Sequence, residues 1–196
     1  MKITIIILAV VAIVFIIIQI FAMSAQRNIE MYPYKVEQKF EDFEVRTYEA
    51  SLFSSVQLPY KDYKQASGRG FSILAGYIFG GNERNEKIAM TSPVAMSLED
   101  TMTVMFMVPK KYNKSNLPQP NQSQIKFVEE PQKRVAAIAF GGWASDEKIA
   151  EHKLKLERAL ELQGIPHKGK FYFLGYNPPY EIFNRRNEII VELSDV

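Results

Sequence analysis

Two histidines, no cysteine and several pairs of neighbouring carboxylates are what this chain offers to chemistry. The missing thiols exclude disulfides, thiolate ligation of a metal and thiol catalysis together. His152 falls on the apolar stripe of a helix predicted from a cap at Ser145 to about Gln163, and an imidazole there can reach an iron or a divalent ion. It has no second ligand three or four residues away, so a satisfied residue at the core boundary is the plainer reading. His167 follows Pro166 in a loop and reads as solvated. Glu41/Asp42, Glu99/Asp100 and Glu129/Glu130 all fall at predicted turns, where carboxylates are solvated rather than poised for acid and base work. Ser67 and Ser72 lie inside a predicted helix, without the setting of an activated serine. Gly80-Gly81-Asn82 ends a helix instead of opening one, which gives the dipole the wrong sign for a phosphate. No catalytic residue and no metal ligand set is assigned.

What is left is apolar surface, glycine and arginine. Met90, Met96, Met102, Met105 and Met107 form an adaptable apolar set, read first as core. Arg185 and Arg186 are adjacent, so in an extended chain they face opposite ways, one toward a core carboxylate or an anionic ligand and the other toward water. A structural salt bridge is the plainer role. The helix predicted over 61–79 contains Gly68, Gly70 and Gly76, each about 1 kcal/mol worse in a helix than alanine. Something must approach that helix closely enough to offset them, either a packed strand or a flat ligand.

The elements that position these residues follow from periodicity. Residues 34–48 alternate as a hairpin with Glu41-Asp42 at its turn, and 51–58 continue extended to Pro59. The helix then carries a stripe at Tyr63, Ser67, Gly70/Phe71, Leu74 and Tyr77/Ile78 and stops at Gly80-Gly81-Asn82. Residues 87–95 and 101–108 pair through Leu98-Glu99-Asp100. In the second of these, Met102, Val104 and Phe106 occupy one face and Met105 and Met107 the other, so both faces should be covered. Residues 109–124 are a polar, proline-rich connector. Beyond it, 125–130 and 134–140 read as a hairpin about Pro131-Gln132. The helix capped by Ser145 has Asp146-Glu147 in its first turn and Gly164 and Pro166 past its end, and 170–176 pairs with 188–193. Strand, strand, helix, strand, strand thus recurs over 34–108 and 124–194. The expected fold is α+β: duplicated ββαββ units forming a distorted antiparallel β-barrel flanked by two α-helices, preceded by an N-terminal transmembrane helix.

That last element rests on residues 3–23, an uncharged apolar run of twenty-one residues, close to the roughly 20 that span a hydrocarbon core. It exceeds the apolar core of a cleaved signal peptide, so 1–24 are expected to stay as a single-pass anchor. Lys2 before the run, with Arg27 offset by Glu30 after it, keeps the N-terminus cytoplasmic and puts the domain over 31–196 outside the cytoplasm, in the periplasm if the cell is bacterial. Of the 196 residues 47% are hydrophobic, enough for one domain with a real core. Twenty-four basic residues against 22 acidic ones leave no polybasic field, and nucleic acid is not expected as a partner.

Five stretches in order, YIFGGN at 77–82, KIAMTSPV at 87–94, FGGWA at 140–144, GYNPP at 175–179 and RRNEI at 185–189, resemble the SOUL haem-binding protein family across nearly all of 34–193. The resemblance implies a duplicated barrel akin to bacterial effector-binding domains, with haem or another porphyrin held non-covalently in an apolar groove along the first domain helix. Carried onto this sequence, that groove involves Arg69, Phe71, Leu74, Ala75 and Ile78, with Met90 nearby. Basic positions that family members place on this helix and after the Pro-Pro pair stand here as Gly76 and Glu181, and the histidine that some members carry before the helix has no counterpart. The function implied is a non-enzymatic, membrane-tethered binder of haem or another tetrapyrrole, for carriage, buffering or sensing. The alternative is an effector-binding or small-molecule-processing domain of the related fold, which an ionisable residue at the floor of the barrel would favour.

Overall fold

The computed structural model describes residues 2–26 and 29–194, with side-chain surroundings at all of these except 18 and 20–26. Helix α1 (Lys2–Gln26) takes up the apolar run. Among the described residues, however, no helix is long and apolar enough to cross a membrane. The expected transmembrane anchor, the membrane as a partner and the extracytoplasmic location are corrected on this finding.

In chain order, β1 (Glu30–Met31), β2 (Tyr34–Lys39), β3 (Glu44–Tyr48) and β4 (Ser51–Leu58) lead into α2 (Tyr63–Ile78). Then come β5 (Thr91–Ser92), β6 (Val94–Ser97), β7 (Met102–Met107), β8 (Lys126–Glu130) and β9 (Lys133–Gly141). Helix α3 (Asp146–Leu162), β10 (His167–Gly175) and β11 (Arg186–Leu193) complete the chain. Nine strands form one antiparallel sheet in the order β2-β3-β9-β11-β10-β6-β7-β4-β8, which curls into a half-barrel. The short β1 and β5 pair in parallel beside it. Both predicted helices sit on one face of the sheet, α2 against β4 and β7, and α3 against β9 and β11.

The hairpins at 34–48, β6–β7 and β10–β11 form as the alternation predicts. The one predicted about Pro131-Gln132 does not. Strand β8 pairs with β4, and β9 pairs with β3 and β11. A two-residue hairpin turn needs central residues at positive φ, and proline is locked near −65°. Pro131 therefore makes a corner: Ser51 faces Glu130 and Tyr48 faces Lys133, so two bent strands run side by side and turn together, which curls the sheet. Of the strand predicted over 87–95, only β5 and β6 form.

Strand β7 is covered on both faces as its composition requires. Met102, Val104 and Phe106 join Leu74, Tyr77 and Ile78 in the core beneath the helices. Met105 and Met107 join Tyr32, Tyr48, Phe53 and Tyr176 in a second core on the opposite face.

Candidate functional site

Helix α2 is held at its start from two directions. The Asp62 carboxylate accepts from Gln65 N at 2.8 Å as its own N-cap. Asp146, in the first turn of α3, accepts from Tyr63 N at 2.5 Å and Lys64 N at 3.4 Å, so one carboxylate satisfies orphan amides of the neighbouring helix and fixes the two helices together. On the inner face Ala66, Gly70, Ile73, Leu74, Tyr77 and Ile78 are buried.

The three glycines divide between the two explanations offered for them. A Cβ at Gly70 would lie 2.4 Å from Val104 Cγ2, so there the close neighbour is strand β7. A Cβ at Gly68 meets nothing within 4 Å, and one at Gly76 meets only Gln122 Nε2 at 3.9 Å. Gly68, Ser72 and Gly76 recur at i, i+4, i+8, all exposed, and make a strip about 12 Å long with almost no side chain on it. Arg69 and Phe71 flank it, the Phe71 ring centre 5.3 Å from that of Phe106, and the largely exposed Phe79 closes its C-terminal end.

The residues expected to line a groove are split by this geometry. Arg69 and Phe71 lie on the outer side. Leu74 and Ile78 are in the core between helix and sheet, Ala75 is 8% exposed, and Met90 packs partly buried against the same core. Gly68 and Gly76 are among the glycines expected to meet either a strand or a flat ligand; Ser72 and Phe79 are not among the expected lining residues. The signal for the strip was the i+4 recurrence of small residues opposite the apolar stripe.

Beyond the N-terminus of α2 lies the loop between β10 and β11. Arg185 Nη1 donates to the carbonyls of Pro178 (2.9 Å) and Glu181 (2.6 Å), and Nη2 to that of Asn177 (3.4 Å). Its guanidinium sits 4.0 Å from the centre of the Trp143 ring. Burial pulls its pKa down, with Tyr63 and Glu181 opposing. Its neighbour Arg186 faces the other side of the sheet, as adjacent extended residues should, and bonds the carboxylate of Glu188 at 2.6 Å.

Glu188 is the ionisable group at the heart of that opposite face, fully buried. It accepts from Arg46 Nη1 (2.9 Å), Tyr176 Oη (2.7 Å) and Arg186 Nε (3.1 Å), while Arg46 also bonds Glu44 at 2.8 Å. Burial alone would lower the pKa of Arg46; the hydrogen bond and charge of Glu188 outweigh it and raise it. Burial raises Tyr176, with Tyr48 and Glu188 adding to the effect and Arg186 opposing it. Two guanidinium groups thus meet two carboxylates, and the cluster keeps no uncompensated charge for a guest.

The histidines are occupied locally. His152 Nδ1 lies 2.8 Å from Lys148 O and its ring stacks at 4.2 Å on Phe140; His167 Nδ1 accepts from Gly169 N at 3.2 Å. Among the described residues no group of three or more His, Asp or Glu side chains is gathered as a metal site. A depression of about 580 Å³ lies elsewhere, between Ser51, Tyr112 and Glu130.

A family model described as "SOUL heme-binding protein" matches residues 29–192. Heme-binding protein 2 of Mus musculus is 28% identical over 179 residues, covering 85% of this chain and 87% of that protein. Heme-binding protein 2 of Homo sapiens is 30% identical over 156 residues, covering 75% and 76%. Among solved structures, the C-terminal domain of EcmrR superposes with a TM-score of 0.63 at 11% identity, over 83% of this chain and 99% of that one. A hydrolase from Listeria innocua gives 0.53 at 10%, over 81% and 94%. At such identities the two structures speak for the fold alone.

Proposed function

The chain belongs to the SOUL heme-binding protein family, and from that membership we propose that it is a non-enzymatic binder of haem or a related tetrapyrrole, held against the outer face of α2. The observation that carries the reading is the bare strip of Gly68, Ser72 and Gly76 between Phe71, Arg69 and Phe79. A flat macrocycle can lie only where side chains do not stand, and Gly68 in the helix interior and Gly76 in its last turn, each costing stability, meet nothing among the described residues that would require them. When bound, haem supplies a broad apolar plane, two carboxylates and an iron. The chain supplies apolar contact from Phe71 and Phe79, the backbone of the strip, and one cation, Arg69, suited to a carboxylate. Leu74, Ala75 and Ile78 act from beneath by fixing the helix, with Met90 beside them. Affinity rests on buried apolar area more than on iron ligation, since both histidines are engaged locally.

The strand order supports reading 34–108 and 124–194 as two ββαββ units: exchanging β3 with β8, β4 with β9, β6 with β10 and β7 with β11 turns the order from β3 to β8 into its own reverse, so every strand keeps its neighbours. The alternative, an effector-binding domain of the related fold, looked to an ionisable floor residue. Glu188 takes that place, but Arg46, Arg186 and Tyr176 already hold it.

Haemin titration followed by absorption tests the proposal. Wild-type protein should bind saturably at micromolar haemin. Gly76→Leu, which stands a side chain on the strip, should weaken binding about ten- to a hundredfold while the fold survives, a loss of the size of one or two buried apolar contacts. Arg69→Glu should weaken it less. Absence of saturable binding by the wild type, or full affinity in Gly76→Leu, would refute the site.

A further inference from the structure

The loop over 177–185 is gripped from two sides. On one, Arg185 takes the carbonyls of Asn177, Pro178 and Glu181 and lies on Trp143. On the other, Gln19 of α1 donates from Nε2 to Tyr180 O at 3.1 Å and accepts at Oε1 from Ile182 N at 3.3 Å, across 161 and 163 residues of sequence. Gln19 is 7% exposed, whereas every fully described residue of α1 before it, from Lys2 to Ile17, is exposed. Among the described residues, α1 is therefore fastened to the domain at one amide. The two grips alternate along the loop, with positions 178 and 181 held by Arg185 and 180 and 182 by Gln19. Both amide dipoles of Gln19 are used, so a rotation or withdrawal of α1 breaks two hydrogen bonds together.

The loop lies at the start of α2: Arg185 stacks on Trp143, and Asp146, three residues beyond Trp143, accepts from Tyr63 N. Gly68 lies five residues along that helix from Tyr63. We infer that α1 is an arm that holds this loop as a strap across the N-terminal end of α2: with Gln19 engaged the strap is closed over Trp143, and release of α1 frees it. Tyr180, Ile182 and Phe183, all substantially exposed, are the side chains that move with it. The consequence for ligand access rests on the proposed function; the clamp itself does not.

Trp143 is the chain's one tryptophan, so its emission in the full-length protein reports on the strap without any ligand. Gln19→Ala should shift that emission to longer wavelength, increase quenching by acrylamide, and speed hydrogen exchange at Ile182 N about tenfold, the loss expected for one protecting hydrogen bond. Gln19→Glu, which keeps the acceptor for Ile182 and loses the donor to Tyr180, should fall between. Val10→Ala, on the exposed part of α1, should match the wild type. Unchanged emission and exchange in both Gln19 variants would overturn the clamp, as would equal changes in Val10→Ala. Haemin association should be faster in Gln19→Ala; a freed strap with an unchanged association rate, in protein that still binds haemin, would overturn the switching role. Protein that binds no haemin would instead refute the proposed function, leaving the emission and exchange to judge the clamp.

Discussion

The two faces of the curled sheet treat polar and strained residues in opposite ways. On the face away from the helices, charged groups are buried but matched: Glu188 is surrounded by Arg46, Arg186 and Tyr176, and Arg46 is shared with Glu44. On the outer side of α2 little is matched: Gly68 and Gly76 are costly in a helix, and among the described residues a Cβ would meet nothing at Gly68 and only Gln122 Nε2, at 3.9 Å, at Gly76. A feature answered from within is structural, whereas one answered by nothing within points outward to a ligand. The same test separates Gly70, pressed on Val104 Cγ2, from its neighbours on one helix.

The contrast breaks most sharply at Arg46. Removing it as Arg46→Ala leaves Glu188 with Arg186 and Tyr176 but breaks charge-assisted hydrogen bonds to two carboxylates, Glu188 and Glu44, each worth about 1.5–3 kcal/mol. Urea unfolding should show that loss, while haemin affinity per folded molecule stays at the wild-type value. A haemin defect as large as the stability defect would mean that the two faces act as one site.

How far these faces could be read in advance differs between them. The alternation in Met102–Met107 identified a strand covered on both sides, and the cap at Ser145 located α3. Adjacency alone put Arg185 and Arg186 on opposite faces. The partner of Arg46, by contrast, is 142 residues away, and no local pattern joins them. The corner at Pro131 was read as a hairpin because two short apolar runs with a two-residue gap look alike whether they fold back or turn together. Leu74 and Ile78, expected along the groove, sit in the core, because an apolar helical stripe marks the face that meets the sheet. The open face is recorded instead in what is missing there. The apolar run at 3–23 carried a membrane expectation that the described part of α1 does not sustain.

A second, smaller break comes at high pH. Burial, aided by the charge of Glu188, pushes Tyr48 up to about 12 from its ordinary value of 10.0. A folded-state pKa above the unfolded one means that the contribution of Tyr48 is fully present below pH 10 and is lost as pH rises through about 12. One residue shifted this far accounts for about 2 kcal/mol across that window. Stability should therefore decline between pH 10 and 12 more steeply in the wild type than in Tyr48→Phe. Among the described residues the hydroxyl of Tyr48 meets hydrogen-bond geometry with no partner, although Arg46 and Tyr176 lie beside it, so its removal should cost little at neutral pH. Parallel profiles for the two proteins would show that Tyr48 does not carry the alkaline transition.

The finest test stays on α2 and compares two substitutions of the same kind. Gly70→Ala forces a methyl to within 2.4 Å of Val104 Cγ2 and 3.2 Å of Leu58 Cδ1, so helix and sheet must part and stability should fall by about 1–3 kcal/mol. Gly68→Ala meets open space and should stabilise by about 0.5–1 kcal/mol through helix propensity alone. The sign, not the size, carries the argument: opposite shifts in melting temperature two residues apart mean that one glycine serves the fold and the other does not. A methyl at Gly68 is small enough to leave much of the strip flat, so haemin affinity should drop less there than in Gly76→Leu. If Gly68→Ala gained stability and kept full affinity, the ligand would lie toward Gly76 and Phe79; if it lost stability, the outer face would have a structural role that its open surroundings do not reveal.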